Sequence, residues 1–178
     1  MSVTLEPLDV ADPAVATTLH AWVTHPRSVF WMMQDATRDD VVAACAAIAD
    51  HPHHDAWWGR VDGEPTFLAE TYDPARVDEV GLVGVPELRP GDLGMHVLVA
   101  PPAGDPVPGL TRTVFAAVLA HCFADPAVRR VVVEPDARNE AIARLNTEAG
   151  FEVARLIDLP GKRAALSFCT REAWEAHR

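Results

Sequence analysis

The chain has 178 residues, 49% of them hydrophobic, with a formal net charge of −11 and a sequence pI near 5.0. That length and apolar content suffice for one globular domain with a sizeable core and are too little for two large ones, so a single domain over residues 1–178 is expected. The acidic balance opposes binding to nucleic acid or to an anionic membrane surface, and no apolar run reaches membrane-spanning length.

The opening residues, Met1-Ser2-Val3-Thr4-Leu5-Glu6-Pro7, lack the basic stretch and apolar block of a secretory signal, so a cytoplasmic location is expected. Cys45, Cys122 and Cys169 are far apart and odd in number, and read as small buried hydrophobes rather than a disulfide framework. Val3, Leu5 and Leu8 predict a short opening strand, and Asp12-Pro13 then starts a helix running toward Trp22. After the aromatic loop "THPRSVFWMMQDAT", Thr37 and Asp40 form a capping-box-like entry into a helix over Val41–Ala49, which "DHPHHD" ends. Two alternating strands in "AWWGRVDGEPTFLAETY" join at Asp62-Gly63, the chemistry of a tight hairpin.

Asp73 to Gly91 reads as a long irregular connection, followed by the apolar strand "DLGMHVLVAPP", closed by two prolines. Leu110, Val114, Phe115, Val118, Leu119 and Cys122 recur at helical spacing, so one face of the next helix is core. Val128–Glu134 predicts a strand that stops at Pro135, and the helix after it stops at Gly150. A final hairpin, Phe151–Leu159 and Ala164–Thr170, turns at Pro160-Gly161, which suits a type II turn. The order β-α-α-β-β-β-α-β-α-β-β implies an α/β fold, a mixed sheet flanked by helices.

Chemistry concentrates where the strand in "VVVEPDARNEAIARLNTEAGF" feeds its helix, because Asp136, Arg138 and Asn139 follow directly on a buried-looking valine run. On the residues alone Asp136 is either a helix cap or a proton acceptor, and Asn139 is equally a good cap. His96, among Met95, Val97 and Leu98, is either a hydrogen-bonded core histidine or an acid/base group. His51, His53 and His54 share a short loop with Asp50 and Asp55, but no second ligand cluster accompanies them, so they read as a solvated turn and no metal is expected.

Nearly the whole chain resembles the GNAT (GCN5-related N-acetyltransferase) superfamily, most specifically in Asn139-Glu140-Ala141 through Gly150-Phe151, which is similar to a helix pattern N-x-x-A-x-x-x-Y-x-x-x-x-G-F of that superfamily. The resemblance implies a mostly antiparallel twisted sheet and acyl-CoA as co-substrate, either acetyl-CoA or succinyl-CoA. Asn146 stands where many relatives carry a tyrosine that protonates the leaving thiolate. "WVTHPRSVFW", "GDLGMHVLVAPP" and "VVVEPDARN" together resemble a narrower branch, the acyltransferases of hydroxamate siderophore biosynthesis, which acylate N-hydroxylated lysine, ornithine or cadaverine.

That resemblance implies His96 and Asp136 at the reacting centre, with His96, Trp31 and His25 toward the acceptor amine. Leu98, Val99 and Asn139 would meet the pantetheine arm, and Gly109, Leu110, Thr111, Arg112 and Thr113 the phosphates. The phosphate loop departs from the family pattern [QR]-x-x-G-x-[GA], since Pro106-Val107-Pro108-Gly109-Leu110-Thr111 opens on proline and two prolines remove donors. The expected activity is therefore acyl transfer from acyl-CoA to a hydroxylamine nitrogen, with a functional link to a flavin amine hydroxylase and a siderophore synthetase. An ordinary small-amine N-acetyltransferase and a silent acyl-CoA-binding domain are the alternatives.

Overall fold

A computed structural model describes residues 1–178. The strands are β1 (Val3–Pro7), β2 (His54–Val61), β3 (Glu64–Tyr72), β4 (Asp92–Val99), β5 (Arg130–Val133), β6 (Glu152–Leu159) and β7 (Lys162–Thr170). The helices are α1 (Pro13–Val23), α2 (Arg38–Asp50), α3 (Leu110–Cys122), α4 (Glu140–Glu148) and α5 (Arg171–His177), with short 3-10 helices at Pro26–Trp31 and Asp78–Val80. The expected order of strands and α-helices holds, and α5, capped by the Thr170 side chain on the Ala173 amide, goes beyond it together with the two 3-10 helices.

Local signals act as their chemistry requires. Asp12 caps α1 with Pro13 in its first turn, and Thr37 and Asp40 close a full capping box on α2. That box starts α2 at Arg38, three residues ahead of the expected Val41, and puts Asp39 and Asp40 in the first turn, where negative charge suits the helix dipole. Asp62 and Gly63 both have positive φ (51° and 88°), the type I′ condition that matches the twist of a two-residue hairpin. Gly161, at φ 77°, supplies the left-handed residue of the β6–β7 turn.

The sheet has seven strands in the order β1-β2-β3-β4-β5-β7-β6. β1 and β2 pair antiparallel, as do β5 with β7 and β6 with β7, while β4 and β5 pair parallel, so the sheet is mixed and mostly antiparallel, as expected. By its contacts the chain divides into two compact units, one of residues Met1–Glu70 with Val97–Phe115, the other of Thr71–His96 with Ala116–Arg178.

In the first unit, Leu19, Trp22, Val41, Cys45, Trp58 and Leu68 share a core, with Trp22 stacked on Trp58 at 4.9 Å between ring centroids. In the second, Tyr72, Val132, Leu166 and Phe168 pack with Val77 and Leu82 of the connection Asp73–Gly91. Val77 and Leu82 are fully buried, so this irregular segment is part of the core rather than a loose loop. Its far end is pinned by Glu87, which pairs with Arg155 at 2.5 Å and whose carbonyl accepts from Arg130, itself bidentate on Asp92. Gly94 lacks the Cβ that would otherwise collide with the Tyr72 ring, which lets that ring lie against β4.

Candidate active site

Within the second unit, three side chains converge on one buried carboxylate. Val131, Val132 and Val133 are buried in β5, and Pro135, without an N–H, ends the strand just after Glu134. Glu134 is only 2% exposed. Its Oε1 lies 2.5 Å from His96 Nε2 and 3.4 Å from Lys162 Nζ, and its Oε2 accepts the Tyr72 hydroxyl at 2.7 Å. The Tyr72 hydroxyl is also 3.2 Å from His96 Nε2, and the two rings lie 4.9 Å apart. Burial pushes the Glu134 carboxyl up, but the charges and hydrogen bonds of His96, Lys162 and Tyr72 outweigh it and hold the group at about 2, so it is an anion at neutral pH.

His96 comes from β4, Tyr72 from the end of β3 and Lys162 from the start of β7, so three strands aim at a group at the end of a fourth. The His96 side chain keeps 27% of its surface, enough for the imidazole to meet a substrate while Glu134 fixes its orientation. A histidine anchored by a buried carboxylate is one arrangement that can accept a proton from an attacking nucleophile.

Asp136 lies beyond Pro135 on an extension of β5 that follows β7. The Ala165 amide donates to the Pro135 carbonyl at 2.9 Å, the Ala137 amide to Arg163, and Asp136 bridges to Ala164. Its side chain is 5% exposed and accepts from Arg138 at both oxygens, 3.0 and 2.7 Å, and from the Arg138 amide at 2.9 Å. These Arg138 hydrogen bonds hold its carboxyl at about 2, so it takes a proton less readily than an ordinary carboxylate. The helix-cap reading of Asp136 passes to Asn139, whose Oδ1 accepts from the Ile142 amide at the start of α4. Asn146, at the position where the resemblance implies a tyrosine in many relatives, is buried in this unit with no hydrogen-bond partner on its Oδ1.

The first unit holds the remaining expected residues. Leu98 is buried in its core and Val99 ends β4 half-buried. Gly109 has φ 80° with open space where a Cβ would point, and α3 begins at the next residue. Of the amides expected to meet phosphate, two are used locally: Leu110 donates to the Val107 carbonyl and Thr113 to that of Gly109. An exposed helix start with Thr111 and Arg112 remains, a fit for an anion with fewer donors than expected.

Trp31 lines a cavity of about 30 Å³ with Met33, Cys45, Leu68 and Glu70. Burial, with a smaller contribution from the charge of Glu70, raises the Cys45 thiol to about 11. His25 has a structural task, since its Nδ1 accepts from the Arg27 amide and caps the 3-10 helix Pro26–Trp31. His51 Nδ1 accepts from the His53 amide, whereas His54 pairs with Glu70 at 3.5 Å, so the loop histidines turn to different partners.

Sequence reasoning passed over Glu134, Tyr72 and Lys162. One signal was available: the chain contains a single tyrosine and a single lysine, and both reach the same carboxylate.

The protein family described as Acetyltransferase (GNAT) domain matches residues 13–159 of the chain. Among solved structures, AAC(6')-Ib in complex with ribostamycin and coenzyme A is similar at 26% identity and a TM-score of 0.85, over 100% of this chain and 98% of that one. An uncharacterized protein from Bacillus halodurans is similar at 22% identity and a TM-score of 0.87, over 98% of this chain and 87% of that one. The spermidine N-acetyltransferase from Vibrio cholerae in complex with CoA and spermine is similar at 12% identity and a TM-score of 0.70, over 97% and 98% of the two chains. The last two likenesses, below a quarter identity, speak to the fold alone. No curated protein sequence matches.

Proposed function

The chain belongs to the GNAT acetyltransferase family and is an acyl-CoA N-acyltransferase, and from that premise we propose that it acylates the hydroxylamine nitrogen of an N-hydroxylated diamine or amino acid, as in hydroxamate siderophore biosynthesis. One observation carries the reading: the partly exposed acid/base group is His96, anchored by Glu134, while a buried asparagine stands where the resemblance puts a tyrosine. An alkyl hydroxylamine is far less basic than an amine and is mostly neutral at pH 7, so its nitrogen can attack with only a modest proton acceptor.

Acyl-CoA supplies the thioester. His96 takes the proton from the nitrogen as the C–N bond forms and the C–S bond breaks, and it returns that proton toward the departing thiolate. Glu134 orients the imidazole throughout. Asp136, held by Arg138, shapes the neighbouring wall and is the weaker base. Leu98, Val99 and Asn139 serve the pantetheine arm in this reading. The start of α3, with Gly109, Thr111 and Arg112, would hold the phosphates. Trp31 and His25 belong to the acceptor side in this reading.

Acetyl and succinyl donors are both compatible with this scheme. The expected partners are the enzymes that hydroxylate the amine and assemble the product. A second reading, acetylation of an ordinary amine such as an aminoglycoside, is favoured by the 26% identity to AAC(6')-Ib over nearly the whole of both chains.

Side-by-side turnover of N-hydroxycadaverine and cadaverine with acetyl-CoA and succinyl-CoA separates the two. The hydroxylated amine should react at least about a hundredfold faster at pH 7, because an amine with a pKa near 10.4 is almost wholly protonated there. Equal rates, or faster acetylation of kanamycin, would sink the hydroxylamine reading.

A further inference from the structure

We infer that Lys162 is the residue that leaves His96 free to take and release a proton, by neutralising Glu134 independently of the imidazole. The inference rests on the reading of His96 as proton acceptor and adds a positioning residue to it. Glu134 is buried and anionic, and a carboxylate out of water must be paired. If His96 were its sole cationic partner, the pair would be stable only with the imidazole protonated, and a histidine locked as a cation cannot accept a proton from a nucleophile. Tyr72 does not relieve this, because its hydroxyl donates a hydrogen bond to Oε2 but brings no charge.

Lys162 does. Its side chain is 14% exposed, and its ammonium meets the same Oε1 that receives His96 Nε2. Asp136 also feels the Lys162 charge, and it pairs with Arg138 through two side-chain hydrogen bonds. Arg138 thereby supplies the hydrogen bonds of Asp136, on which Lys162 acts through charge alone, and the printed contact of Lys162 is with Glu134. Two carboxylates, Glu134 and Asp136, then face two fixed cations, Lys162 and Arg138, so charge balance does not require a protonated imidazole. The cluster is electrically complete before His96 takes a proton. The chain uses arginine for every other fixed cation, so this point charge is its only ammonium side chain.

The test uses the full chain carrying Lys162→Met or Lys162→Arg. The His96 imidazole is titrated by NMR, its signal identified by its loss in His96→Gln, and kcat/KM for N-hydroxycadaverine with acetyl-CoA is followed against pH. In Lys162→Met the uncompensated Glu134 should hold the imidazolium more tightly, raising the His96 midpoint by about one pH unit or more. The rising limb of kcat/KM should move up equally, giving about a tenfold loss at pH 7 that recovers at higher pH. Lys162→Arg, which keeps the charge, should restore both.

An unmoved imidazole midpoint, or a rate loss equal at every pH, overturns the inference. A shifted imidazole with an unmoved rate limb upholds the coupling and instead removes His96 as proton acceptor. Should Lys162→Met not fold, Lys162→Gln is titrated in its place under the same criteria.

Discussion

Replacing Glu134 by Gln keeps the shape of the side chain and removes its charge, so its cost can be worked out in two independent ways. The carboxyl is held at about 2 against an ordinary value of 4.5. That displacement corresponds to about 3 kcal/mol of native-state stability at neutral pH. Removing one partner of a buried ion pair, here stranding Lys162, costs about 3–5 kcal/mol by mutational precedent. The two routes agree, and for a chain of this size about 3 kcal/mol lowers Tm by roughly 6–12 °C.

The pH dependence gives the sharper signature. Because the folded value lies below the unfolded one, Glu134 contributes its full stability above about pH 4.5 and loses it as pH falls toward 2, the unfolded chain binding the proton first. Urea unfolding followed by tryptophan fluorescence, on wild type and Glu134→Gln, should therefore differ by about 3 kcal/mol at pH 7 and by about 1.5 kcal/mol or less at pH 3. A difference below about 1 kcal/mol at pH 7, or one that does not shrink in acid, would refute the account of Glu134 as a paired buried anion.

Steady-state kinetics should rank the two candidate bases: His96→Gln is expected to lower kcat by about 10² to 10⁴, whereas Asp136→Asn stays within about tenfold of wild type. The reverse ranking would return proton acceptance to Asp136. Gly94→Ala drives a Cβ into the Tyr72 ring and should destabilise the fold by about 1–3 kcal/mol in thermal melts. Gly104→Ala, with open space around the added methyl, should change stability by less than about 0.5 kcal/mol. Arg112→Ala should weaken coenzyme A binding in titration calorimetry by about three- to tenfold while leaving kcat at saturation unchanged, since a contact at the non-reacting end contributes uniform binding. An unchanged Kd would move the phosphates away from the start of α3.

Much of the architecture was legible in the chain because its signals act over a few residues. The Thr37–Asp40 capping box, the Asp62-Gly63 and Pro160-Gly161 turns and the buried face of α3 each depend on hydrogen bonds or side-chain spacing within a turn or two, so their residue types suffice to read them. Asn139 belongs to this class, and it became the cap that Asp136 had also been a candidate for. Val77 and Leu82 do not, for nothing within Asp73–Gly91 repeats with a helical or strand period. Their burial depends on Ile157, Ala164 and Leu166, far along the chain.

The site divides in the same way. His96 and Asp136 are singled out by resemblance alone. The carboxylate that orients His96, and the lysine and tyrosine that complete its surroundings, are not singled out. Glu134 lies 38 residues from His96, 62 from Tyr72 and 28 from Lys162, and only sheet pairing brings these positions together. By itself the sequence determined which segments are strands and helices and which family they resemble, because local hydrogen bonding and hydrophobic period are short-range. Which charges pair was decided by the tertiary structure alone, because the cost of burying Glu134 is met by side chains from three separate strands, and that sum exists only once the chain has folded.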